Sequence, residues 1–181
     1  MNKLNIQKYD ASFQRLASYF NSGNIYLDHF IKESSALDDN YGKTFIWLSS
    51  NENKIIGYYN IGTGYISEYY NNQYFKIGGS IHINAFALDK KYRGLEQGVY
   101  SNQCKYFLSD FLLDDCLERI ENLRKNYVGF TFVTLSSIPE GYSLYKRNGF
   151  EELDEDMHFS IFESDKQCIP MYLALDIENE I

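Results

Sequence analysis

The chain has 181 residues, of which 44% are hydrophobic and 17% aromatic, enough for one domain with a full core and too few to expect two. No apolar run approaches the roughly 20 residues of a membrane span and the N-terminus MNKLNIQKYD has no apolar leader, so a soluble, cytoplasmic protein is expected. The net charge of −8 is unevenly placed: residues 1–150 hold 16 Lys+Arg and 15 Asp+Glu, whereas residues 151–181 hold ten acids and one lysine. That balance disfavours generic nucleic-acid binding, which rests on clustered bases, while leaving room for a local basic mouth around Lys90, Lys91 and Arg93.

In chain order, 4-LNIQKY-9 reads as a short strand. Phe13, Leu16, Ala17 and Phe20 fall at helical spacing within 11–20, and a 21-NSGN-24 break follows. Leu27, Phe30, Ile31 and Leu37 repeat the pattern over 25–39, which predicts a second short helix. The segments 44–50 and 54–66 are β-branched and aromatic around 51-NEN-53, the pattern of a hairpin. The run 69–79 reads as a polar, aromatic connector, and 80–88 as a third strand. Leu108, Leu112, Cys116, Ile120 and Leu123 share one face of a long helix, which is followed by an apolar strand at 127–135. Pro139 opens a helix over 139–148 with Gly149 after its end, and 157–162 and 168–175 read as strands beyond an acidic approach. Strand, helix, strand, helix, strand after a hairpin implies an α/β (α+β) domain over 1–181 with a mixed sheet and helices on both faces.

Three widely spaced cysteines without CxxC and three scattered histidines without HExxH-like spacing offer no disulfide framework and no metal cluster. Cys116 falls within the helical apolar pattern and reads as core filler.

Three stretches together resemble the Gcn5-related N-acetyltransferase (GNAT) superfamily. The run 80-SIHINAFALDKKYRG-94 is similar to that family's fourth strand leading into D-x-x-Y-R/Q-G, and a loop and long helix follow. The run 144-LYKRNGFEEL-153 is similar to its L-Y-x-x-x-G-F. A narrower likeness joins 20-FNSGNIYLDHFIKESSALDDNYGKTFIWL-48 and 55-IIGYYNIGTG-64 to the toxin-type acetyltransferase branch, which acetylates the amino group of aminoacyl-tRNA; Ser22 stands where that pattern has cysteine.

The resemblance implies a mostly antiparallel sheet whose central strands splay. It implies acetyl-CoA as co-substrate, with backbone groups of Phe86, Ala87 and Leu88 on the pantetheine arm. The diphosphate is then expected on Arg93, Gly94, Gly98, Val99 and the start of the next helix. Glu96 stands where the family pattern has a glycine, which costs conformational freedom and adds a charge opposed to phosphate. A helix from Val99 to Lys125 would run ~40 Å, so an insertion within about 95–105 is the alternative, with amides near 98–105, Gln103 or Lys105 on the phosphate. Tyr145 is implied as the general acid that returns a proton to the leaving thiolate, with Tyr142 one turn earlier on the same edge. The strand 81–88 carries no acid; His82 is the candidate base, and loss of the amine proton to water is the other route. No metal is implied. The amine is expected on a small molecule or protein, with aminoacyl-tRNA disfavoured by charge and a homodimer left open. A non-catalytic protein of this fold that binds acyl-CoA or a partner is the rival class.

Overall fold

A computed structural model describes residues 4–49, 53–99, 105–159 and 167–175. The chain divides into two compact units, Met1–Ile61 with Asn84–Arg119 and Gly62–Ile83 with Ile120–Ile181. Among the described residues one eight-stranded sheet runs β1 (Ile6–Lys8), β2 (Lys43–Leu48), β3 (Ile55–Tyr70), β4 (Gln73–Leu88), β7 (Phe132–Ser137), β10 (Ile169–Ala174), β8 (Glu151–Glu152), with β9 (Met157–Phe159) on β3, and a separate pair is formed by β5 (Glu96–Val99) and β6 (Lys105–Phe107).

In the first unit, β1 (Ile6–Lys8) pairs antiparallel with β2 (Lys43–Leu48), which pairs antiparallel with the start of β3 (Ile55–Tyr70). A 3-10 turn at Ala11–Phe13 leads into α1 (Gln14–Ala17), and α2 covers Ile25–Lys32. The predicted helix over 25–39 therefore stops early: the backbone of Glu33 is extended, and Ser34–Leu37 and Asp39–Tyr41 are single 3-10 turns. Ala17, Phe20, Ile31, Ile46, Tyr58 and Ala87 pack into one core cluster on this side.

The second unit's strands are the far parts of β3 and β4 (Gln73–Leu88), with β7 (Phe132–Ser137), β10 (Ile169–Ala174), β8 (Glu151–Glu152) and β9 (Met157–Phe159). All described pairings are antiparallel except β4 with β7, which is parallel from Ser80–Phe132 to Ile83–Leu135. Leu135, Phe150 and Met171 are fully buried there, and α4 (Tyr142–Arg147) follows a 3-10 turn opened by Pro139.

One expectation fails. Residues 69–79 are not a connector: β3 and β4 are 16-residue strands joined at Asn71–Asn72, whose φ of 49° and 62° are those of a two-residue hairpin turn. The long helix read on Leu108, Leu112, Cys116, Ile120 and Leu123 forms, without extending back to Val99. Residues 96–99 form β5, paired antiparallel with β6 (Lys105–Phe107), and α3 runs Leu108–Asn126. The insertion inferred within 95–105 is thus a small hairpin, whose tip at 100–104 lies outside the described residues. The apolar strand is also shorter at its start than predicted, beginning at Phe132.

Candidate active site

The N-terminal motif is a capping structure. Asn24 accepts hydrogen bonds from the amides of Tyr26 (3.0 Å) and Leu27 (3.2 Å), as an N-cap residue does. Fully buried Ser22 donates its hydroxyl to Asp28 at 2.6 Å, and its amide reaches the same oxygen at 2.6 Å. Gly23 takes φ +81°, a conformation that favours glycine, so S-G-N-x-x-L-D is the local grammar of one tight helix entry. The Tyr58 hydroxyl then donates to the Leu27 carbonyl at 2.6 Å and fixes α2 over the sheet.

In β4 the side chains alternate regularly: Ala85 and Ala87 join the core cluster, while Leu88 lies on the face of α3 with Leu112 beside Gly57. A Cβ on Gly57 would stand 2.7 Å from Leu88 Cδ2 and 2.9 Å from Leu112 Cδ2, so only glycine lets the helix come this close. The Asp89 amide donates to the Ile56 carbonyl of β3 at 2.8 Å, and the Ala87 carbonyl also faces Gly57. Backbone groups alternate along an extended strand, so the amides of Phe86 and Leu88 point to the edge away from β3. Pairing of β4 with β7 ends at Ile83, before these residues.

Asp89 organises the following loop. Its carboxylate accepts from the amides of Lys91 (3.0 Å) and Asn21 (3.2 Å), and the Lys90 amide donates to the Asn21 carbonyl at 2.9 Å. Arg93 and Gly94 are exposed, and Gly94 has φ +67°. Gly98 and Val99 lie on β5, in register with Tyr106 and Lys105. Glu96 is bonded to Lys105 at 2.8 Å, which offsets its charge and holds the lysine pKa up. Lys105, one of the residues considered for the phosphate, is engaged in that pair; Gln103 lies outside the described residues. At the start of α3 the buried Asp110 carboxylate accepts the Phe107 amide at 2.6 Å, so the helix carries an anion of its own in its first turn.

In the second unit Tyr145 sits on α4, is only 7% exposed, and meets Phe150 edge-on at 5.7 Å between ring centres. Tyr142 is bonded to Glu152 at 2.6 Å, which raises its pKa. His82 is buried, with Nδ1 2.9 Å from Thr134 Oγ1 and its ring edge-on to Phe159. Burial lowers its pKa to about 4, so at pH 7 it is neutral. Among the described residues no group of three or more His, Cys, Asp or Glu is placed to hold a metal ion.

No protein-family model and no curated protein matches the sequence. Solved structures do match in fold. One described as a bacterial toxin has a TM-score of 0.69 at 19% identity, over 93% of this chain and 89% of that one. AtaTR bound with acetyl-CoA has a TM-score of 0.71 at 14% identity, over 96% and 95%. A GNAT-family acetyltransferase from Staphylococcus aureus Mu50 has a TM-score of 0.58 at 17% identity, over 96% and 99%. The chain has the GNAT fold.

Within the GNAT fold, the inserted hairpin β5–β6 separates the D-x-x-Y-R-G turn from the helix that follows it. Sequence reasoning also missed a polar relay in the first unit. Thr44 donates to the Ala36 carbonyl (2.7 Å), the Asn60 amide to Thr44 (2.9 Å), and the Asn84 amide to Asn60 (2.7 Å) and to the Tyr41 carbonyl (3.0 Å). The only available signal was asparagine inside two strongly apolar strands, where it is disfavoured unless a partner is supplied.

Proposed function

We propose that the protein is an acetyl-CoA-dependent N-acetyltransferase acting on a primary amine. The observation that carries this reading is the end of β4. Its pairing with β7 stops at Ile83, and the amides of Phe86 and Leu88 turn to that edge, in a fold whose solved examples include AtaTR bound with acetyl-CoA. Those amides suit the amide-bearing pantetheine arm, which they would hold as an added strand does. Exposed Arg93 and the left-handed Gly94 suit the diphosphate, and the Glu96–Lys105 pair reduces the charge opposition that the sequence raised.

Acetyl-CoA supplies the thioester carbonyl. The amine nitrogen bonds to that carbon, the carbon–sulfur bond breaks, and the CoA thiolate takes the phenolic proton of Tyr145, while the amine nitrogen gives a proton to water. A phenol is protonated at neutral pH and is competent for this return. His82 supports the sheet in this reading: with its pKa lowered to about 4 it is a weak base at pH 7.

Titration of acetyl-CoA by calorimetry tests binding, and absence of heat at millimolar ligand sinks the proposal. The variant Tyr145→Phe separates enzyme from binder. Loss of at least ~10²-fold in kcat with acetyl-CoA affinity unchanged is expected. Unchanged turnover would favour a protein of this fold that binds acyl-CoA or a partner.

A small molecule or protein is the proposed amine donor. Aminoacyl-tRNA is the second reading, drawn from the resemblance of residues 20–48 and 55–64 to the toxin-type branch. The near-neutral first 150 residues and acidic remainder weigh against it. Acetylation of an aminoacyl-tRNA pool at low salt decides between them.

A further inference from the structure

The first unit contains a cleft of about 600 Å³ formed by α1 with the residues after it, the start of β3, and the loop from Asp89 to Tyr92. Its volume is in the range of small-molecule sites. Three of its lining side chains are cationic: Arg15, Lys54 and Lys91. Among the described lining residues the acid is Asp89, whose carboxylate accepts the amides of Asn21 and Lys91. The cleft is apolar as well as basic. Leu16, Phe20 and Ile55 contribute to the lining, and Phe20 and Ile55 are nearly fully buried. Two tyrosines, Tyr19 and Tyr92, complete the wall, and Tyr19 is 74% exposed.

The walls are held to one another by backbone. Lys90 donates to Asn21 just after α1, Asn21 donates to Asp89, and Asp89 donates to Ile56 at the start of β3. The backbone of the cleft is therefore preformed, which lowers the cost of taking a ligand.

We propose that this cleft binds an organic phosphate carrying a flat ring, of the size of a nucleoside monophosphate. Arg15 and Lys91, exposed on facing walls of the cleft, suit an anion. The volume exceeds that of a bare phosphate, and the apolar and tyrosine walls suit a ring that stacks. The cleft's lining shares no residue with the groups proposed for acetyl-CoA, Phe86, Leu88, Arg93 and Gly94, and the proposal does not depend on the acetyltransferase reading.

Calorimetric titration of the full chain with adenosine monophosphate tests it, with adenosine and inorganic phosphate as fragments. Binding at least about tenfold tighter than either fragment is expected, because charge and stacking then act together. The double variant Arg15→Ala, Lys91→Ala should weaken it about tenfold or more, and Tyr19→Ala should weaken it about 5- to 100-fold, the range of a lost base-stacking contact. All three positions are exposed, so unchanged melting of the variants is expected and shows that folding is intact. Saturating CoA should leave the affinity unchanged. No binding of the monophosphate at millimolar concentration overturns the proposal, as does equal binding by the variants. Displacement by CoA also overturns it, since the nucleotide then occupies the cofactor site. Binding of a single-stranded oligonucleotide without the monophosphate overturns it in favour of a nucleic-acid surface. A chain that binds acetyl-CoA but not the monophosphate loses this site and keeps the proposed function.

Discussion

The two compact units use their buried polar groups differently. In the first, side chains hold helix and turn backbone that no sheet ladder reaches: Tyr58 on Leu27, Tyr9 on Ile31, Thr44 on Ala36, and Ser22 with Asp28 at the helix entry. In the second, His82, Thr134 and Ser80 bond to one another across β4 and β7, strands that the parallel ladder already joins. Removing a polar group should therefore loosen the path of the chain in the first unit. In the second it should change little except the response to protons.

The largest expected effect is on pH. The pKa of His82 is lowered in the fold from 6.5 to about 4, so the unfolded chain binds its proton first as pH falls. Stability linked to this group is complete above pH 6.5 and is lost progressively down to about pH 4, by up to about 3 kcal/mol. Denaturant unfolding of wild type and His82→Gln across pH 4–7 reads it as a difference; parallel curves would mean that His82 is not the titrating group.

Next in size is Tyr58→Phe, which leaves the Leu27 carbonyl without its donor at 2.6 Å. A loss of about 1–3 kcal/mol is expected. Hydrogen exchange should accelerate in α2 before the rest of the first unit; uniform acceleration would count against a local tether.

Asn24→Ala removes acceptor bonds to two amides of α2 and should cost about 1 kcal/mol in chemical denaturation. Asn24→Ser should recover most of that loss, and failure to do so would point to a role beyond capping.

The smallest effect belongs to Glu96→Gln. The pair with Lys105 is solvent-exposed at 41% and 61%, so less than about 1 kcal/mol of stability is at stake. The informative readout is acetyl-CoA affinity. A value within about twofold of wild type supports a carboxylate already offset by Lys105, whereas a large gain would show that its charge opposes the phosphates.

Local pattern made much of this fold legible. Helix α3 was readable because its apolar residues repeat at one period, and Cys116 is fully buried on the face that pattern assigned to it. The chain order of strands and helices followed for the same reason. The segment 69–79 was misread because Tyr69, Tyr70, Tyr74 and Phe75 are exposed, so the alternation that marks a half-buried strand is missing. Neighbouring strands supply the hydrogen bonds that keep it extended. The D-x-x-Y-R-G motif marked a turn, and Tyr145 was chosen by motif position, whereas the β5–β6 hairpin gave no signal, because E-Q-G-V carries no strand period and glycine weakens any strand.

By itself the sequence determined where each periodic element lies and which short motifs could be special, because helix period, strand alternation and capping chemistry are properties of neighbouring residues. Tertiary structure decided what those motifs do. It made S-G-N-x-x-L-D a helix entry, paired Glu96 with Lys105, lowered the His82 pKa by burial, and gathered Arg15, Lys54 and Lys91 around one cleft. Charge pairing, desolvation and the walls of a cavity all depend on residues distant in the chain, and no local pattern records them.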